Sequence, residues 1–488
     1  MSQLLPVPSH HPVQPTPPSV PLAVDLDGTL LRTDVFWESL VALLRRNPLL
    51  LALLPYWALR GRAALKHEVA RRVSLDVARL PYHEELLAFL REEHRGGRPL
   101  ALTTAADGSI ARRIADHLAL FSRVFASDGR VNVKGDGKLE ALRDAYGDRG
   151  FDYAGNARAD LPVWRGARAA ILVGVSGALS RRVRRVSLVT HEFTGRGRRM
   201  GAALRALRPR HWVKGLLVFV PLVTAHRLTD LAAMRDAALA FAAFALVASS
   251  VYLLNDLLDL ESDRHHPQKR FRPLASGQLP IPTAMAIIPV LVTAAVLISA
   301  FLPPQFWALL GAYAVASTLY SFVAKTLVLV DIVLLALLYG VRVLAGGAAT
   351  SILISPWLVA FSGFIFLSLA FVKRVSELRG LRENGRKAAR GRGYLADDLE
   401  QLASFGAASG NVAVLVFALY INSPEVRLLY ASPGILWLAT PLLLYWISRV
   451  WLLAHRGQIP EDPVLWVIRD PVSYLVGLAV VLIMVLAT

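Results

Sequence analysis

Residues 255–277 read NDLLDLESDRHHPQKRFRPLASG and lie between two long apolar runs. Asp256, Asp259 and Asp263 fall within two helical turns, and Lys269, Arg270 and Arg272 follow them. Spacings of three and four place the three carboxylates on one helix face. Carboxylates so placed repel one another unless a cation sits on them, and hard divalent cations take carboxylate oxygens. Acids followed by bases beside a membrane segment suit a diphosphate site in which Mg2+ and Lys/Arg side chains share the phosphate charge. A solvated loop explains the charges. It gives no reason for Asn255 and Asp256 to follow directly on Val247 to Leu254, where an uncompensated charge is costly.

Working outward, the chain of 488 residues is 55% hydrophobic and 18% charged, with a mean hydropathy of +0.45. That is too apolar for an ordinary soluble protein of this length. The apolar residues are uneven: residues 1–210 read as a soluble module, and membrane-length runs dominate the rest. The formal charge of +18 sits largely beside those runs, which points to anionic lipid and not to nucleic acid. The absence of Cys excludes disulfides, a thiol nucleophile and thiolate metal sites. The 12 His residues show no zinc-like spacing.

Residues 1–20 carry six prolines and no basic start followed by an apolar core, so a disordered lead is expected in place of a signal peptide. PLAVDLDGTLLRTD follows. Leu22 to Val24 is a short buried strand in this reading, with Asp25 and Asp27 at its end and Gly28 and Thr29 in a turn. Two carboxylates so spaced at a strand end can serve as nucleophile and acid/base around Mg2+. A second strand, Arg98 to Thr104, ends in two hydroxyls; Ile110 to Phe121 has helical periodicity; Lys134 and Lys138 follow, Lys138 opening the helical run KLEALRDAY. FDYAGNARAD then supplies Asn156 and Asp160, and Arg168 to Val175 is a further strand candidate.

These segments, in this order, resemble the haloacid dehalogenase (HAD) phosphatase superfamily. The resemblance implies a domain over 21–185 in which Asp25 and Asp27 are the catalytic acids, Thr104 (or Thr103) binds phosphate, Lys138 steadies a phospho-aspartate, and Asn156 and Asp160 complete the Mg2+ site. Asn156 stands where the family has its first late acid; an amide oxygen binds Mg2+ but brings no charge. A catalytically inactive domain kept for stability or docking is the competing reading. Residues 35–97 form a helical insertion; its apolar part near 40–59 is interrupted by Arg45, Arg46, Pro48 and Pro55 and suits a cap with membrane contact better than a span. A basic linker, 186–211, suits cytoplasmic lipid or a phosphate-recruiting rim.

From 212 to 488 we expect an all-α polytopic domain of about nine spans, near 213–227, 234–254, 282–302, 306–323, 327–347, 355–372, 403–421, 430–450 and 470–487. Residues 373–392 alone hold eight Lys and Arg residues, and such loops alternate with short neutral ones. The positive-inside rule then puts the N-terminal domain in the cytoplasm and the C-terminus outside. Within LYSFVAKTLVLVDIVLLALLYGVRVLAGG, from Leu319, Lys325, Asp331 and Arg342 are ionisable residues against apolar helices. They suit phosphate contacts for the two cations and a metal or sugar contact for Asp331, or a plain salt bridge of Asp331 with Lys325 or Arg342. Gly340, Gly346 and Gly347 read as close-packing positions.

Residues 208–487 resemble the UbiA-type intramembrane prenyltransferases, on Asn255, Asp256, Asp259 and Asp263. RPRHWVKGLLVFVPL from Arg208, HPQKRFRPLASG from His266 and PEDPVLWVIRDPVSYLVG from Pro460 are similar to the branch of decaprenyl-phosphate phosphoribosyltransferases, with Gly215 in place of the Asn expected after Lys214. The resemblance implies Mg2+-dependent transfer of phosphoribose from phosphoribosyl diphosphate to a polyprenyl phosphate in the cytoplasmic membrane, a step in cell-wall precursor synthesis. Asp256, Asp259 and Asp263 would hold metal, Lys269 and Arg272 the diphosphate, and Lys214, Asn255, Tyr320, Lys325, Asp331 and Arg342 the substrates. Transfer of a prenyl chain to an aromatic or sugar acceptor is the alternative, and a transporter with a regulatory domain is a reading from another class.

Overall fold

The computed structural model describes residues 20–128, 133, 135–193, 199–383, 385, 392–460 and 462–488. The proline-rich lead through residue 19, Lys134, and Arg386, Lys387 and Arg390 of the basic loop lie outside them. The chain forms two compact units: one runs to Ala203 and takes in Asp256–Met285, the other holds Leu204–Asn255 and Ala286–Thr488. The aspartate loop therefore belongs to the same unit as the α/β domain. No periodicity in the sequence announces this, because the residues concerned lie far apart in the chain.

The first unit is built on six parallel strands, β1 (Leu22–Asp25), β2 (Leu100–Asp107), β3 (Arg123–Ser127), β4 (Asp152–Gly155), β5 (Ala169–Val173) and β6 (Leu188–Phe193), in the order β3-β2-β1-β4-β5-β6. β1 and β5 are buried along their length, as strands covered on both faces must be. Asp25 pairs in register with Thr103. The order reverses at β1, whose neighbours are β2 and β4, so the crevice beyond its carboxyl end is the place where an open parallel sheet receives ligands. The sheet runs past residue 185: β6 adds an edge strand after the helix Gly177–Arg184. The insertion is helical as expected, comprising Val35–Arg46, Pro48–Leu53, Leu54–Leu59, Arg62–Ala70, Val77–Arg79 and Glu84–Arg95.

In the second unit and across its junctions, six helices among the described residues are long and apolar enough to cross a membrane: Leu231–Leu258, Ile281–Ser299, Val330–Thr350, Pro356–Glu383, Ala396–Ile421 and Pro433–His455. The protein is an integral membrane protein. The other three expected spans take different forms. The segment near 213–227 is an irregular turn-like helix, Pro209–Phe219, followed by Val220–Thr224; Pro304–Phe322 is a less apolar helix; Pro471–Ala487 has only 17 residues. Small residues let the helices approach closely. A Cβ on Gly346 would meet the Val218 carbonyl at 2.0 Å, and one on Gly347 would meet Ile354 at 2.6 Å. Gly340 faces open space, so its expected packing role does not hold. A Cβ on Gly215 would meet the Phe241 ring at 2.9 Å, so Phe241 leaves no room there for the Asn expected from the resemblance.

Candidate active sites

At the end of β1, Asp25 is buried; its Oδ2 accepts the Thr29 hydroxyl at 3.0 Å and its Oδ1 receives the Lys138 ammonium. Lys138 comes from the first turn of Asp136–Tyr146. Asp27 accepts the Val35 N–H at 2.8 Å on one oxygen and faces the Thr104 hydroxyl at 3.4 Å on the other. Thr104 is thus the hydroxyl beside Asp27. Asp160 organises the neighbouring loop: Tyr153 donates to its Oδ1 at 2.9 Å, the N–H groups of Asn156 and Ala157 donate to its Oδ2 at 3.1 and 3.0 Å, and Lys138 stands 3.7 Å away. The Asn156 amide lies over Gly28, whose φ of +79° and missing Cβ make the approach feasible; a Cβ there would be 2.1 Å from Asn156 Nδ2.

Burial pushes Asp25 up to about 6, against the pull of Lys138. Burial pushes Asp27 up to about 8, with Asp34 adding to the effect. Burial works against the Lys138 charge, but Asp25 and Asp160 outweigh it and hold the ammonium above its ordinary value. Asp25, Asp27 and Asn156 offer oxygen donors of the kind that suits Mg2+. Among the described residues no three carboxylate or imidazole groups converge on one point in either unit. Mg2+ does not require that, since it commonly takes one or two carboxylates, waters and substrate phosphate.

In the aspartate loop, Asp256 and Asp263 are buried and Arg272 lies between them, its Nη1 3.1 Å from Asp256 Oδ1 and 2.7 Å from Asp263 Oδ2. Arg272 stands in for a cation on this acid pair. Burial still pushes Asp263 up to about 6, with Arg272 opposing it and Asp256 adding to it. Asp259 is half-buried where Leu231–Leu258 gives way to Leu260–His265, and Lys269 lies in the short turn Lys269–Phe271. In the second unit, the buried Oδ1 of Asn255 accepts no hydrogen bond among the described residues. The carboxylates of the loop again suit Mg2+.

The second unit gathers cations around tyrosines. Lys214 lies 5.7 Å and Arg342 5.9 Å from the Tyr339 ring centre, and Arg342 also covers Tyr313 at 4.6 Å and bonds its hydroxyl at 2.8 Å. Lys214 is held at 2.6 Å by Asp462, a residue that also caps the helix Pro463–Val467. The second Asp of that late run, Asp470, caps Pro471–Ala487 and takes both Arg449 nitrogens at 2.7 and 2.9 Å. Asp331 is fully buried, and its partner is neither Lys325 nor Arg342: Arg374 occupies one oxygen and the Tyr394 hydroxyl donates to the other at 2.5 Å. Arg392 bonds Glu377 at 3.1 Å and the Tyr320 hydroxyl at 3.3 Å. Lys325 lies in the turn Ala324–Thr326. Arg374, Glu377, Tyr339 and Asp462 had no individual signal in the sequence. Arg374 counted only as one of eight bases in a positive loop, although its i+3 spacing to Glu377 inside an apolar helix was the available hint.

A separate cavity of about 610 Å³ is walled by Trp357, Phe361, Phe417, Tyr420, Trp446 and Met484 among others; Lys214, Tyr320, Lys325, Asp331 and Arg342 do not line it. Its apolar walls offer room to hydrocarbon and no charged group for chemistry.

An acid pair at the switch point of a parallel sheet and an aspartate loop leading a helical membrane module define an integral membrane protein that joins a hydrolase-like domain to a transferase-like one. The chain belongs to the UbiA prenyltransferase family, whose model matches residues 216–467. The model of haloacid dehalogenase-like hydrolases matches residues 22–165. The chain is 34% identical over 461 residues to protein y4nM of Sinorhizobium fredii, covering 94% of this chain and 89% of that one. It is 34% identical over 283 residues to nodulation protein NoeC of Azorhizobium caulinodans, covering 57% of this chain and 91% of that one. To the decaprenyl-phosphate phosphoribosyltransferase of Mycolicibacterium smegmatis it is 35% identical over 190 residues, 38% of this chain and 59% of that relative.

Proposed function

We propose that the membrane module transfers 5-phosphoribose from phosphoribosyl diphosphate to a polyprenyl phosphate, releasing diphosphate. The observation that carries this reading is the character of the second polar cluster. It is rich in cations: Arg374 joins Asp331 to Glu377 with Arg392 beside them, while Lys214 and Arg342 flank Tyr339. Such a cluster suits a phosphorylated partner better than a neutral aromatic acceptor. The similarity to decaprenyl-phosphate phosphoribosyltransferases agrees with it.

In this reading Asp256, Asp259 and Asp263 would hold Mg2+, which supplies positive charge to the departing diphosphate. Lys269 and Arg272 neutralise the remaining phosphate oxygens, Arg272 turning from the carboxylates it bridges in the structure. An oxygen of the lipid phosphate forms the new bond at the anomeric carbon as the bond to diphosphate breaks, and diphosphate leaves with the electron pair. The nucleophile is already anionic near neutral pH, so orientation by Lys214 and Arg342 matters more than a protein base. Apolar surfaces between helices, including the walls of the 610 Å³ cavity, take the polyprenyl tail.

The N-terminal domain would then remove the 5-phosphate. An Asp25 oxygen attacks phosphorus and the ester bond breaks. Asp27 gives a proton to the leaving alcohol. Water, deprotonated by Asp27, then releases phosphate from Asp25. Lys138 and Thr104 hold the phosphoryl oxygens through both steps. The cytoplasm holds this domain and the positive loops, the C-terminus lies outside, and the cap rests on the membrane through Leu49, Leu53, Tyr56 and Leu59, all exposed and flanked by Arg45, Arg46, Arg60 and Arg62.

The test uses full-length protein in lipid with Mg2+, polyprenyl phosphate and phosphoribosyl diphosphate, with the lipid product read by mass. Phosphoribosyl lipid that disappears in Asp256→Ala, followed by loss of one phosphate that depends on Asp25, is the expected result. A prenylated acceptor, or no lipid product from folded protein that binds diphosphate, overturns the reading.

A further inference from the structure

Within the first unit, the helix Val35–Arg46 connects the phosphatase-like acid to the aspartate loop. Its N-terminus closes on Asp27, which accepts the Val35 N–H at 2.8 Å, while Asp34 caps Phe36 at 2.9 Å. One turn on, Glu38 is 3% exposed and accepts two bonds from Arg264, at 3.0 and 2.6 Å. Arg264 follows Asp263 directly, and its Nε donates to the Ala275 carbonyl at 3.1 Å, so one guanidinium ties the acidic start of the loop to its end. Two weaker pairs lie alongside, Arg45 with Glu261 and His265 with Asp76, each at 3.1 Å. At the far end of the loop, a Cβ on Gly277 would stand 2.7 Å from the Arg32 Cβ, so the chain packs tightly there as well.

A two-pronged carboxylate–guanidinium pair on a buried carboxylate has a single good geometry, unlike the exposed pairs around it. It lies 226 residues apart in sequence and one residue from a proposed metal ligand. We propose that the N-terminal domain is a working part of the membrane transferase: through Glu38 and Arg264 it holds the helix Leu260–His265, and thereby sets Asp263 and Arg272 for Mg2+ and diphosphate. Glu38 and Arg264 are positioning residues, and the role does not require the domain to be an active phosphatase. The inference rests on reading the aspartate loop as a diphosphate site.

The test measures Mg2+-dependent binding of inorganic diphosphate by calorimetry, and hydrogen exchange over residues 256–279, on full-length protein in lipid nanodiscs. The part of the binding lost in Asp256→Ala defines the loop's share. Glu38→Gln should weaken that share roughly 10-fold or more, as loss of a ligand-orienting partner does, and speed exchange in the loop. The reversed pair, Glu38→Arg with Arg264→Glu, should restore much of both. Should Glu38→Gln fail to fold, Arg264→Lys keeps the charge, loses the two-pronged geometry and should weaken binding in folded protein. Unchanged affinity in the folded variants overturns the proposal, even if loop exchange rises. Wild-type protein that makes no phosphoribosyl lipid, yet binds diphosphate in a Glu38-dependent way, refutes the assigned substrate and leaves the positioning role standing. Diphosphate binding indifferent to Asp256→Ala removes both.

Discussion

Replacing Arg374 by Leu should destabilise the helical module by about 3 kcal/mol, the lower end of what an orphaned partner of a buried ion pair costs. The magnitude follows from what surrounds Asp331. Both charged side chains are fully buried, so the carboxylate left behind has no water to turn to. It keeps the Tyr394 hydroxyl at 2.5 Å and has Arg392 at 3.8 Å, which is why the low end applies. Glu377 keeps Arg392 at 3.1 Å and is not orphaned. A loss of about 3 kcal/mol shifts the folded-to-unfolded ratio roughly 100-fold. The double variant Asp331→Asn with Arg374→Leu removes both charges and should return to within about 1 kcal/mol of wild type. Unfolding in mixed micelles by increasing sodium dodecyl sulfate, followed by tryptophan fluorescence, measures the wild type, the two single variants Arg374→Leu and Asp331→Asn, and the double variant. A single variant costing less than about 1 kcal/mol, or a double variant costing the sum of its parts, would refute the reasoning.

Lys138→Met should abolish phosphomonoester hydrolysis while leaving phosphoribosyl lipid formation intact, since Lys138 is buried on Asp25; equal loss of both activities would contradict the division of labour. Because Asp25 is raised to about 6 and Asp27 to about 8, Mg2+ binding at pH 7 should displace protons, and affinity should climb with pH through about 8 and then level. Calorimetry in buffers of different ionisation enthalpy reads the proton count, and zero release would count against the buried acid pair as the metal site. Lys214→Gln should raise the KM for a phosphorylated substrate more than it lowers kcat, and leaves Asp462 with His211 at 3.4 Å. The chain has no Cys, so Leu53→Cys offers a unique labelling site. An environment-sensitive dye there should be quenched by lipid-borne quenchers in liposomes containing anionic lipid, and a water-like spectrum would remove the cap from the membrane.

The sequence was most informative where chemistry is local. Asp25, Asp27, Thr104, Lys138 and Asp160 lie close together because β1 pairs with β2 on one side and β4 on the other and the helix Asp136–Tyr146 opens beside them. The role of Asp160 as acceptor for two backbone N–H groups was not legible, since hydrogen bonds to a loop depend on how that loop closes. The membrane module shows the same division. Apolar length announces helices regardless of partners, whereas the face each helix turns inward depends on its neighbours; Arg374 therefore looked like one loop cation among many and proved to be the partner of Asp331.

By itself the sequence determined an α/β domain with paired acids, a polytopic helical module and an aspartate loop, because hydrophobic period, apolar length and motif spacing are properties of contiguous residues. Only the tertiary structure decided that Arg272 bridges Asp256 and Asp263, that Asp331 belongs to Arg374, and that the loop is gripped by Glu38. None of these pairings follows from local spacing, because a buried carboxylate takes whichever opposite charge the packing brings within reach.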